Sequence, residues 1–376
     1  MKNKHKSFSR TVLQMLAGAG VGLALGLCIG AFLSQVDPGR QLPLYLRLLC
    51  AAALLLWCAL WYVLSVPIHE GGHLICGLLT GYRFVSFRAG RFICYRRQGK
   101  LRIGRYQIAG TGGQCLLGPP GASPDAPFPY VLYNLGGALA NFVVGGCFLA
   151  LSFVCPQPAR LLLMLAGAVN IAMGVPNLIP MKSMTTDGTN LLLARRSGEA
   201  RRALWLTLAV NEQLTDGVRP RDLPADWFRL GPPAPEDDPL VAGVKSLVPM
   251  RLADEGRLDE AAAAYRALLD GCPRLIEVQK QEIRCDLLLL ELLRGDRAAA
   301  RALDTPELRR YRRQTAGTPG RLCLDCAVAA LLHGDEAAAN MARAAFEQAA
   351  ARHPLSDAAL YRDLLARVGP AAAQAQ

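Results

Sequence analysis

Four apolar runs, at about residues 11–36, 44–66, 130–154 and 160–179, most constrain how this 376-residue chain can fold. Each is long enough to cross roughly 30 Å of hydrocarbon at about 1.5 Å per residue. A backbone in hydrocarbon must satisfy its own hydrogen bonds, so each run is expected to be a helix. Lys2, Lys4, Lys6 and Arg10 precede the first run, as in a signal peptide. Its apolar stretch exceeds the usual length of one, and no Ala-x-Ala site follows, so it reads as a span. Gly18, Gly22, Gly26 and Gly30 lie four apart on it, a spacing suited either to close helix packing or to a loosely packed lipid-facing helix.

Charge separates two halves. Residues 1–198 hold eighteen Lys and Arg against four acids, Asp37, Glu70, Asp125 and Asp187, a formal +14; residues 199–376 hold twenty-four bases and twenty-six acids, a formal −2. The overall +12 therefore belongs to the apolar half, where Lys and Arg flank membrane segments on the cytoplasmic side, and nucleic acid is not the expected partner. The basic N-terminus, the 82–129 loop with Arg83, Arg88, Arg91, Arg96, Arg97, Lys100, Arg102 and Arg105, and the Arg195-Arg196 pair all fall on one side of a four-span topology. That side is cytoplasmic by the positive-inside rule.

His69-Glu70-Gly71-Gly72-His73 closes the second run. Residues four apart share a helix face, so both imidazoles can ligate one Zn²⁺ while Glu70 stands beside the open position as general base. A catalytic zinc takes a third protein ligand. Of the early acids, Asp37 is expected on the opposite side and Asp125 lies in a Pro-rich loop, which leaves Asp187, at the end of the fourth span, as the third ligand. The plainer role for Asp187 is to cap a turn with Gly188.

These residues resemble the site-2 protease family of intramembrane zinc metalloproteases. His69–His73, then Gly137-Ala-Leu-Ala-Asn141, then Asn177-Leu-Ile-Pro180 with Asp187-Gly188 stand in the order of that family's three motifs, across roughly residues 44–195. The stretch Met-Lys-Ser-Met-Thr-Thr between Pro180 and Asp187 is longer than the commoner family pattern. The resemblance implies peptide hydrolysis near the cytoplasmic face, with zinc held by His69, His73 and Asp187 and the proton carried by Glu70. It implies that Asn141 and Asn177 orient substrate or stabilise the oxyanion; interhelical hydrogen bonding is the structural alternative for each. Pro67 is expected to kink the second span and Pro180 to help unwind the fourth. Lys182 reads as a solvated interfacial lysine or a contact for a substrate carboxylate.

Phe84–Phe87 and Leu101–Ile108 have strand-like composition with a turn at Gln98-Gly99, and so read as a small β-hairpin. Its exposed edge is a candidate substrate clamp by β-augmentation, with contact to anionic lipid as the alternative. The Gly- and Pro-rich stretch Ala109–Pro129 reads as a mobile loop.

The later half is expected to be soluble and helical. Gly256, Gly295 and Gly334 recur at a spacing of 39, each between helical segments, as in a helix-turn-helix repeat stacked into a solenoid. The first unit, with Gly256, Ala261, Tyr265 and Pro273, resembles a tetratricopeptide repeat. Its concave surface is expected to bind a protein or peptide partner, or to pack. Cys323 and Cys326 read as reduced core cysteines, and His333 and His353 as surface or packing residues.

The sequence thus implies a mainly α chain: a polytopic helical bundle of about four spans with a β-hairpin insertion, followed by an α-helical repeat domain. The expected divisions are 1–43, 44–198, a linker at 199–239, and repeats at 240–376. The expected activity is zinc-dependent intramembrane proteolysis of a membrane protein or peptide, in a prokaryotic plasma membrane with both termini cytoplasmic. A non-proteolytic membrane scaffold binding a partner through its repeats is the other class; the intact Glu70 speaks against it.

Overall fold

A computed structural model describes residues 42–106, 111–181, 186–352 and 357–369, together with Gly30 and Ser34. The expected span at 11–36, with Gly18, Gly22 and Gly26, lies outside the described residues, as do Asp37, Lys182 and His353. The fold is mainly α. Three long apolar helices, α1 (Leu44–Leu79), α2 (Tyr130–Ser152) and α3 (Ala159–Leu178), coincide with the later three expected spans and mark a membrane protein. α1 continues through Pro67 and past the expected end at 66, because Ile68, Leu74, Ile75, Leu78 and Leu79 extend the apolar helical pattern.

Two compact units form. Among the described residues, the first comprises residues 42–65 and Phe142–Met173. Aromatic packing holds it: the rings of Trp57 and Trp61 meet edge-on at 5.9 Å, and those of Trp61 and Phe148 at 4.7 Å. The Trp57 indole N–H donates to the Leu162 carbonyl at 2.9 Å, which satisfies a polar group in an apolar setting.

The second unit, Val66–Asn141 and Gly174–Gln376, holds an antiparallel sheet of β1 (Arg83–Ala89), β2 (Phe92–Arg97), β3 (Lys100–Arg105) and β4 (Gly113–Gly118), in the order β3-β2-β1-β4. Two expectations are corrected here. The strands near 84 and 101 do not pair as a hairpin: β1 is central, flanked by β2 and β4, and β3 pairs with β2 across the Gln98-Gly99 turn. Both turn residues have positive φ, 51° and 74°, which matches the right-handed twist of the strands they join. The second correction lies within Ala109–Pro129, where β4 stands in place of a loop. Gly-Gln-Cys-Leu-Leu-Gly has little strand propensity, but pairing with β1 and burial of Cys115 and Leu117 override it.

α4 (Asp187–Arg196) and α5 (Gly198–Asp216) follow α3. α5 occupies the first part of the expected linker and buries Ala203, Leu204, Trp205 and Leu206 against Leu117, Phe128 and Tyr133. It clasps the sheet through a bidentate Arg83–Glu212 pair, both bonds 2.7 Å, and through Trp205 Nε1 donating to the Pro120 carbonyl. Beyond it come α6 (Pro239–Lys245), α7 (Leu247–Asp254), α8 (Leu258–Gly271), α9 (Glu277–Leu293), α10 (Arg297–Leu303), α11 (Pro306–Gln314), α12 (Pro319–Ala327), α13 (Glu336–Arg352) and α14 (Asp357–Arg367). The repeated glycines 256, 295 and 334 all adopt left-handed φ, between 70° and 81°, where a helix ends. Cys323 and Cys326 are buried in the apolar core of these helices. Asp286 on α9 accepts hydrogen bonds from Tyr265 (3.2 Å) and Tyr361 (3.4 Å), and Arg219 joins Asp254 at the end of α7 to Asp363 on α14.

Candidate metal centre

His69 and His73 lie one helical turn apart on α1, and their Nε2 atoms are 3.2 Å from each other. Asp187, the first residue of α4, places Oδ2 3.0 Å from His69 Nε2 and 3.3 Å from His73 Nε2. The three form a group able to hold a metal ion. Asp187 is fixed by its neighbours. Thr186 caps α4, its Oγ1 accepting from the Thr189 N–H at 3.1 Å and donating to the Ile179 carbonyl at 3.0 Å. The Met181 N–H donates to Thr189 Oγ1 at 2.9 Å. These bonds tie the end of α3 to the start of α4, so the long stretch between Pro180 and Asp187 does not carry the aspartate away.

α2 supplies the outer support. Tyr133, Gly137 and Asn141 are spaced four apart and so share a face of that helix. His69 Nδ1 lies 2.8 Å from Asn141 Oδ1, and His73 Nδ1 lies 2.7 Å from the Tyr133 carbonyl. A carbonyl oxygen only accepts, so each Nδ1 carries the hydrogen and each neutral imidazole directs its Nε2 lone pair inward. Two lone pairs and a carboxylate oxygen then converge, an arrangement that a shared cation relieves. When a proton takes that place, its effect on Asp187 is strong. Burial works to raise the carboxyl, but with the imidazoles protonated at Nε2 their hydrogen bonds and positive charge outweigh it and hold Asp187 at about 2.

Glu70 lies outside the ligand group. A Cβ at Gly113 would stand 2.7 Å from Glu70 Cγ and 2.8 Å from Oε1, so β4 leaves room for this side chain only by having glycine there. The Cys115 amide is turned to the Glu70 carboxylate, and the Cys115 carbonyl accepts from the Tyr133 hydroxyl at 3.2 Å. Arg88 is 1 % exposed; it donates to the carbonyls of Gly90 (2.9 Å) and Gly113 (3.0 Å) and to the Thr111 hydroxyl. It braces β1 to β4 at the level of Glu70.

The structure thus brings His69, His73, Asp187 and Asn141 together, with Glu70 beside them. Asn141 meets His69 by an interhelical hydrogen bond, the structural alternative of its two sequence readings. Asn177 is half-buried in the last turn of α3, next to Leu178, against whose carbonyl Gly188 packs. Sequence reasoning passed over Tyr133, although the spacing of Gly137 and Asn141 extends back to it by one further turn. Nothing in the sequence separates Arg88 from the exposed loop bases, because its burial depends on sheet pairing. Comparison of the chain with protein-family models, curated proteins and solved structures finds no match.

Proposed function

We propose that this protein is a zinc-dependent intramembrane endopeptidase of the site-2 protease type, acting near the cytoplasmic face of a prokaryotic plasma membrane. The observation that carries the reading is the convergence of His69 Nε2, His73 Nε2 and Asp187 Oδ2. Ligand atoms bound at about 2.0–2.1 Å in a tetrahedral zinc shell stand about 3.3 Å apart. The separations of 3.0, 3.2 and 3.3 Å fit that shell, and the nitrogen and oxygen donors suit zinc. When bound, the ion supplies Lewis acidity and brings the pKa of water toward neutrality.

Glu70 takes the proton from the attacking water at a carboxylate oxygen. As the new C–O bond forms and the C–N bond breaks, Glu70 returns that proton to the leaving amine nitrogen. Asn141 holds the His69 ring. Asn177 keeps the substrate-orienting or oxyanion role that the family resemblance implies. β4, an edge strand that runs past Glu70, is better placed than β3 to receive an extended substrate by β-augmentation. The helical repeats would recruit a cytosolic protein or peptide.

Elemental analysis of detergent-purified protein tests the reading. About one zinc per chain, lost in His73→Ala and Asp187→Ala, is expected. Glu70→Gln should keep the zinc and leave a co-expressed candidate substrate uncut. Equal processing by wild type and Glu70→Gln would overturn the peptidase assignment.

A further inference from the structure

The outer half of the sheet carries an amphipathic face that the metal centre does not use. Residues directly opposed across antiparallel strands lie on one face. The β2–β3 register pairs Phe92 with Arg105, Cys94 with Ile103, and Arg96 with Leu101. These residues therefore share a face, with apolar side chains in its middle and an arginine toward each end. Phe92, Leu101 and Ile103 are 65 %, 63 % and 83 % exposed. Three large apolar residues so open to water on adjacent strands are the mark of a docking surface, not of a solvated one.

Charge selects the occupant. No acid occurs between Glu70 and Asp125, whereas eight bases do. Arg83 is paired with Glu212, and Arg88 is buried in the sheet. Arg96, Lys100, Arg102 and Arg105 are exposed, and none has an acidic partner among the described residues. The sheet also packs beside α1, a helix long and apolar enough to cross a membrane. Gly112 and Gly113 approach Val66 and Glu70 of α1, and the same helix goes on to expose Ile75, Leu78 and Leu79 farther toward its C-terminal end. A surface with this charge, at this level of a membrane helix, matches an anionic leaflet: basic side chains reach headgroups while the apolar ones enter the acyl boundary.

We propose that the β2–β3 ribbon binds anionic phospholipid at the membrane interface, with Phe92, Leu101 and Ile103 seated at the acyl boundary and Arg96 and Arg105, on the same face, reaching the phosphate headgroups. The inference does not rest on the peptidase reading.

The test uses the full chain in nanodiscs of phosphatidylcholine with and without phosphatidylglycerol. Ile103→Trp adds an indole whose emission is read as the difference from wild type. Quenching of that difference by lipids brominated on the acyl chain, and shielding from aqueous iodide, is expected. Iodide quenching without bromine quenching would overturn the proposal. Lipids retained from a mixed bilayer are then counted by native mass spectrometry for wild type and for Arg96→Gln/Arg105→Gln. Each base near an anionic surface strengthens attraction about fivefold, so the double variant should lose most of the preference for phosphatidylglycerol. An undiminished preference in a variant that still incorporates as a folded monodisperse protein would overturn it. So would an oligoglutamate peptide that displaces phosphatidylglycerol from wild type, which would make the surface a site for acidic peptide instead.

Discussion

Gly137 of α2 faces His73 of α1 so closely that a Cβ at position 137 would stand 2.5 Å from His73 Nε2, and equally 2.5 Å from His69 Nε2. An ion held between the two imidazoles would therefore use the space that this glycine leaves. Gly137→Ala should abolish metal binding, because the methyl group meets rings held by the Asn141 side chain and the Tyr133 carbonyl, which cannot both give way. Metal content of the purified variant, with circular dichroism to establish that the helices persist, checks this. Retained stoichiometric metal would show that the ion does not sit between the two imidazoles.

Asn141 acts one shell farther out, through a 2.8 Å bond to His69 Nδ1. Removing the partner that fixes a ligand's tautomer and orientation typically weakens a metal site about 10–100-fold. Asn141→Ala should show a loss in that range by competition with a chromophoric chelator, and Asn141→Asp, which keeps an acceptor oxygen, a smaller one. Unchanged affinity in the alanine variant would rule out the orienting role.

Gly113 offers a way to separate the proposed proton transfer from metal binding. Its missing side chain leaves room for Glu70, whereas none of the three proposed ligands lies among the nearest atoms to a Cβ at that position. Gly113→Ala should keep metal near the wild-type level and depress turnover by displacing the Glu70 carboxylate. Misplacing a reacting group by about 1 Å can cost on the order of a hundredfold. Metal content and cleavage measured on the same preparation distinguish this from collapse of the site, in which both would fall.

Asp286 gives the repeat helices a pH dependence. Burial, outweighing nearby Arg321, raises its carboxyl to about 6. A folded pKa above the unfolded one means that the protonated form is favoured in the folded state. The resulting stability is fully present below the unfolded value near 4 and is lost as pH rises through about 6. Thermal melts of the full chain should fall over that window by on the order of 2–3 kcal/mol. Asp286→Asn, which resembles the protonated form, should flatten the profile.

The sequence by itself determined the elements that depend on local pattern and on hydrocarbon as solvent. Runs of apolar residues had to become α1, α2 and α3, since helices alone satisfy the backbone there. The spacing of His69 and His73 placed them on one face whatever surrounds them. The glycines at 256, 295 and 334 marked helix ends because they leave the chain free to turn left-handed. Tertiary structure alone decided the rest. It made a strand of Gly113–Gly118, whose residues have no strong preference of their own, by pairing it with β1 and burying Cys115 and Leu117. It buried Arg88 while leaving Arg96 and Arg105 exposed, although all three read alike as loop bases. It also brought Asp187, more than a hundred residues away in sequence, to within 3.3 Å of both imidazoles. Side-chain periodicity acts along one element, and no local rule specifies which atoms two distant elements will bring together.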